Sequence, residues 1–119
     1  MSSKPIAVPP GLSSKELDEL KNCFQKHQDL NEVILFGSRA MGNHKTGSDI
    51  DLLLKGSLSP DTLFHIREEL AEESFMPYFF DFLTEKDLEN LALKKHIEEE
   101  GLCIYRRDEQ KALLTEDSL

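Results

Sequence analysis

The chain is short of basic residues, of cysteine and of long apolar runs, and each shortage removes a class of function. Only 14 Lys and Arg stand against 23 Asp and Glu, giving a formal net charge of -9 over 119 residues. Duplex affinity comes mainly from cations that neutralise phosphates, so direct nucleic-acid binding is not expected, and a basic protein surface suits this chain better as a partner. Cys23 and Cys103 are far apart and form neither a C-x-x-C nor a Cys/His ligand pattern. They read as small apolar core residues in a reducing compartment, and none of the four His looks like a metal ligand. The sequence has no apolar run of the roughly 18 residues that a membrane helix needs, and no charged-then-apolar leader. The expectation is a cytoplasmic protein, neither exported nor bound to a membrane. A chain of 119 residues makes one domain with little left for a separate substrate domain, so a large substrate has to be held partly by another chain.

What the chain does have is a Gly-Ser pair, Gly37-Ser38, followed after a spacer by Asp49-Ile50-Asp51. The preceding run Glu32-Val33-Ile34-Leu35-Phe36 reads as a buried strand, which places Gly37-Ser38 where a strand turns into a short helix. Free amide N–H groups at a helix start, with the Ser38 hydroxyl beside them, make a site for anionic oxygens. The stretch from Ser48 to Leu54 reads as a second strand. Residues i and i+2 of a strand share a face, so Asp49 and Asp51 project together while Ile50, Leu52 and Leu54 point the other way. Paired carboxylates repel unless a cation lies between them, and hard oxygen ligands select Mg²⁺ or Mn²⁺.

With nine Asp in the chain, chance alone supplies Asp-x-Asp in roughly two chains of three, so the pair by itself reads as an exposed acidic turn. Requiring Gly-Ser at the fixed upstream offset lowers the chance expectation to roughly three in a thousand. The pattern resembles the nucleotidyltransferase superfamily that includes DNA polymerase β: Gly-Ser, a spacer, Asp-x-Asp on a strand, and a third carboxylate on a later strand. That third carboxylate is Asp81, a lone acid in Tyr78-Phe79-Phe80-Asp81-Phe82-Leu83, where an isolated charge is costly unless it serves a shared site. Within the superfamily the chain is similar to the minimal nucleotidyltransferase (MNT) proteins, the antitoxin partners of HEPN toxins. The likeness runs from about residue 14 to 106 through Gly37-Ser38-Arg39-Ala40, Ser48-Asp49-Ile50-Asp51-Leu52, the Asp81 strand and the segment from Ile97 to Tyr105.

Around the motif the chain divides into a Pro-rich arm over residues 1–12, a domain over 13–106 and a charged tail over 107–119. Ser13 with Glu16 forms a capping box for a helix to about His27. Pro60-Asp61 opens another helix, with Leu63, Ile66 and Leu70 inward and an acidic solvated face outward. Thr84 with Asp87 reads as the cap of a helix through Leu88, Leu91 and Leu93 to a stop at Gly101, and Leu102 to Tyr105 as a short strand. The sum is α/β: a small mixed sheet with helices mainly on one face, the polymerase beta-like fold. Arg39 reads either as a phosphate partner or as a cap on local carbonyls, and Ser48 either as a brace of the Asp49 strand or as a direct nucleotide contact. His44 and Lys45 lie in a spacer that the resemblance places along the nucleotide.

The resemblance implies that Gly37, Ser38, Arg39 and Ser48 bind ATP, and that Asp49, Asp51 and Asp81 hold Mg²⁺, two ions in the full site. AMP then passes to a hydroxyl, a Tyr on a HEPN ribonuclease held in a hetero-oligomer. The rival reading is an interaction module that binds nucleotide and neutralises its HEPN partner by occlusion alone. A free-standing enzyme acting on small molecules is disfavoured by the missing substrate domain.

Overall fold

The structure is a computed structural model that describes residues 8–74 and 76–107. Its centre is strand β1 (Leu30–Phe36), in which Val33 and Leu35 face one side and Ile34 and Phe36 the other. Apolar residues on both faces require cover on both faces. β1 pairs antiparallel with β2 (Ile50–Gly56) and with β4 (Leu102–Arg106), while β2 pairs in parallel with β3 (Phe80–Thr84). The result is a mixed four-stranded sheet in the order β3-β2-β1-β4.

The first face carries the larger core. Helix α1 (Ser14–Phe24) begins at the expected capping box: the Ser13 hydroxyl accepts from the Glu16 N–H, and the Glu16 carboxylate accepts from the Ser13 N–H. It buries Leu17, Leu20, Cys23 and Phe24 against the sheet. Helix α3 (Pro60–Glu68) starts at Ser59 with Pro at its first position, and Asp29 ties its start down by accepting from the Ser59 N–H and the Thr62 hydroxyl. Ile66 and Leu70 enter the same core as Ile50, Leu52 and Leu54 of β2. Each such side chain removed from water stabilises the fold by about 1.5 to 3 kcal/mol. Helix α4 (Leu91–Glu100) lies on the other face, where Ile97 meets Phe36 and Leu53 in a smaller cluster.

Four local readings need correction. The helix from Pro60 does not continue regularly: Glu69–Glu73 form a π-helical turn, which still turns Leu70 inward. Thr84 and Asp87 do form a capping box, but it caps only a 3₁₀ turn, Glu85–Asp87. The long helix starts afresh at Leu91, where the Asn90 side chain accepts from the Leu93 N–H, and Leu91 itself is 80% exposed. The second strand starts at Ile50 rather than Ser48, so Asp49 stands just ahead of it. Residues 1–7 of the expected arm and 108–119 of the tail lie outside the described residues, but Pro9, Gly11 and Leu12 are buried, so the end of the arm belongs to the domain. Arg107, at the start of the expected tail, donates to the carbonyls of His27 and Leu30. For Glu98-Glu99-Glu100 at the negative end of the α4 dipole we have no physical account.

Candidate active site

Alternation along β2 and β3 builds the site. Ile50, Leu52 and Leu54 enter the core of the first face, which leaves Asp51 on the face that carries Leu53 and α4. In β3, Phe80 and Phe82 pack against the first core while Leu83 joins the α4 cluster, so Asp81 shares the Asp51 face. The parallel register makes Asp51 and Asp81 direct partners. The Ile50 N–H donates to the Phe79 carbonyl at 2.9 Å and fixes the mouth of this pair. Asp49 sits two residues before Asp51, close enough for its charge to act on it.

Asp51 is half-buried while Asp49 and Asp81 are exposed. Burial, then the charges of Asp81 and Asp49, push the Asp51 carboxyl from 3.8 up to about 6, with His96 pulling weakly the other way. Asp51 therefore stands among more like charge than its surroundings offset. All three offer hard oxygen donors, so they fit Mg²⁺ or Mn²⁺, whose charge removes this repulsion.

Gly37 follows β1 with φ 77°, a left-handed conformation suited to glycine, and hands the chain to the four-residue helix α2 (Ser38–Met41). A Cβ at position 37 would run into Asp51 Oδ2. Glycine is thus required by the close approach of the carboxylate as well as by the turn. A helix of one turn has little dipole, so the anion-binding capacity of this corner lies in its amides and the Ser38 hydroxyl.

His96 is the residue that sequence reasoning undervalued. From α4 its Nε2 accepts from the Gly37 N–H at 3.3 Å, which brings an imidazole to both the Gly-Ser turn and Asp51. No local motif announces it, because the contact joins positions 59 residues apart.

Arg39 takes the other of its two readings. It is 4% exposed; its Nε and Nη2 donate to the Ser48 carbonyl at 3.0 and 2.8 Å, and its Nη1 to the Gly11 carbonyl at 2.7 Å. Its guanidinium lies 4.2 Å from the centre of the Tyr78 ring, whose hydroxyl donates to Glu16. Held in this way, Arg39 braces the spacer against the buried end of the arm. Ser48 joins it, its hydroxyl accepting from the Lys45 N–H at 2.9 Å and its carbonyl from Arg39. Asp49 follows directly on this fixed point. His44 and Lys45 belong to the same spacer, where His44 Nδ1 is buried without a hydrogen-bond partner.

An acidic cluster on strand ends, beside a Gly-Ser corner and on a small mixed sheet, defines a nucleotidyltransferase. The chain matches the polymerase beta nucleotidyltransferase family over residues 18–110, and it belongs to that family. A protein of Methanocaldococcus jannaschii assigned by name to the protein adenylyltransferases is 32% identical over 99 residues, covering 76% of this chain and 99% of that protein. Among solved structures, a chain of a toxin–antitoxin crystal structure with AMP-PNP superposes with a TM-score of 0.61 at 17% identity, over 82% of this chain and 78% of that one. A chain from the complex of a tri-AMPylated Shewanella oneidensis HEPN toxin with MNT antitoxin does so with a TM-score of 0.55 at 15% identity, over 82% and 75%. At such identities these two likenesses establish the fold alone. Among the described residues no helix is long and apolar enough to cross a membrane.

Proposed function

We propose that this chain transfers AMP from ATP to a hydroxyl of a HEPN-domain ribonuclease, a tyrosine as the resemblance to MNT antitoxins implies, and thereby acts as the antitoxin of the pair. The observation that carries the reading is the Asp51–Asp81 register beside Gly37, because an interaction module has no use for like charges paired across neighbouring strands next to a Gly-Ser turn. The name of the Methanocaldococcus relative and the complexes in which the structural neighbours occur support the acceptor class. A formal charge of -9 also suits a basic protein acceptor.

In this reading Asp49, Asp51 and Asp81 hold divalent cation, Mg²⁺ or Mn²⁺, which supplies Lewis-acid neutralisation of the triphosphate. The Ser38 hydroxyl and the amides at the start of α2 donate to the outer phosphate oxygens. Gly37 joins them once its N–H exchanges the long bond to His96 for a phosphate oxygen. Asp81, exposed at the rim, accepts the proton of the incoming hydroxyl, whose oxygen attacks the α-phosphorus while pyrophosphate leaves. Arg39 and Ser48 act indirectly, by fixing the backbone from which Asp49 projects.

Intact-mass spectrometry of a co-purified HEPN partner, mixed with this chain, ATP and Mg²⁺, tests the proposal. The expected result is a mass gain of one or more AMP on the partner, abolished by EDTA. A partner silenced without any mass gain overturns transfer in favour of occlusion.

A further inference from the structure

On the face of the sheet opposite the acidic site, the structure assembles a second group of ligating side chains that the sequence spacing conceals. Cys23 closes the last turn of α1, His27 follows it, and Glu69 opens the π-helical turn after α3. One ligand atom from each lies within 4.8 Å of the others, the only such Cys/His/Asp/Glu set among the described residues. Cys23 is the fully buried core residue expected from the sequence, and the cluster adds surroundings for it and His27 that the sequence pattern did not reveal.

We propose that Cys23, His27 and Glu69 form a zinc site that clamps the end of α1 to the junction after α3. A thiolate, an imidazole and a carboxylate are the donor set of tetrahedral Zn²⁺, whereas Mg²⁺ would decline the sulfur. Zinc bond lengths place tetrahedral ligand atoms about 3.3 to 3.8 Å apart, so closing the set needs a movement of at most about 1.5 Å. His27 Nε2 is buried and has no hydrogen-bond partner, the unsatisfied state that a metal or its surrounding shell would relieve. Glu69 Oε2 accepts from Lys26 Nζ at 2.8 Å, which leaves the carboxylate its second oxygen. Its place at the start of a π-helical turn is unusual, since such turns concentrate at functional positions. With the thiol proton released to solvent, the two negative ligands balance the charge of the ion. The fourth position falls to water or to His65, one turn before Glu69 and close enough to influence the charge of His27.

Cobalt titration of the metal-free full chain, with excess Mg²⁺ to fill the acidic site, tests this. The expected result is a thiolate-to-cobalt charge-transfer band that saturates at one equivalent, is bleached by Zn²⁺, persists in Cys103→Ala and is lost in Cys23→Ala. One equivalent of Zn²⁺ should raise the thermal midpoint by about 5 °C or more. His27→Gln and Glu69→Gln should each weaken zinc binding by tenfold or more. Absence of the band, or its loss in Cys103→Ala, overturns the site. If Cys23→Ala does not fold, wild-type zinc affinity in both His27→Gln and Glu69→Gln does the same.

Discussion

The two faces of the sheet use the same strands for opposite ends. Towards α1 and α3, β2 presents Ile50, Leu52 and Leu54, all fully buried or nearly so. Towards α4 the intervening position is Asp51, and the apolar cluster there contracts to Phe36, Leu53, Ile97 and a few partly buried neighbours. One face lowers the free energy of the fold, while the other accepts electrostatic strain in order to hold charge at a corner. Because alternation separates them, side chains one position apart should affect stability and transfer almost independently.

The largest effect expected from that separation is in Asp51→Asn. The change keeps the shape and removes a charged ligand, so AMP transfer should fall by about a hundredfold or more. Its thermal midpoint in the metal-free state should match or exceed wild type, because a half-buried, repelled carboxylate has been neutralised. Loss of fold together with activity would show that the two faces are not separable. One residue on, Leu52→Ala should do the reverse: a loss of about 2 to 5 kcal/mol in urea unfolding, with transfer per folded molecule close to wild type.

Gly37→Ala probes the seam between the faces. The positive-φ extended backbone costs an alanine about 1 to 3 kcal/mol, and its Cβ must displace Asp51, so both stability and transfer should drop, transfer by about tenfold or more. A variant that transfers normally would remove the close approach of Asp51 from the account.

The smallest effect is a pH dependence. The folded Asp51 carboxyl titrates at about 6 against an ordinary 3.8. Between those values the folded state binds the more protons, so this group's contribution to stability is fully present below about pH 4 and is lost as pH rises through about 6. In metal-free protein, the midpoint advantage of Asp51→Asn over wild type should therefore be greatest near pH 7.5 and shrink towards pH 4. Glu16, Asp29 and Asp87, whose pKa values are lowered, cancel from that comparison. An advantage constant across the range would deny Asp51 its raised pKa.

Local signals were legible wherever a few neighbouring residues decide the outcome. The Ser13–Glu16 box, the Pro60 start, the Gly37 turn and the alternation through Asp51 need only the backbone and the next few side chains, and Asp81 stood out as an acid in an apolar strand. Boundaries failed where two local signals competed. Thr84 with Asp87 and Asn90 both offer caps, and the chain uses both, giving the 3₁₀ turn first and α4 second. Arg39 was readable in two ways, because its neighbours in sequence do not reveal that Gly11 and Ser48 present their carbonyls to it.

By itself, then, the sequence determined the strand cores, the first helix cap, the Gly-Ser corner and the alternation that sets Asp51 and Asp81 on one face, since these follow from spacing along one or two elements. Only the tertiary structure decided that His96 reaches Gly37, that the Arg39 cation is enclosed, and that Cys23, His27 and Glu69 meet. Those contacts join separate elements of the chain. Their partners are chosen by how helices settle on the two faces of the sheet, a choice made by the packing of the whole core and carried by no local pattern.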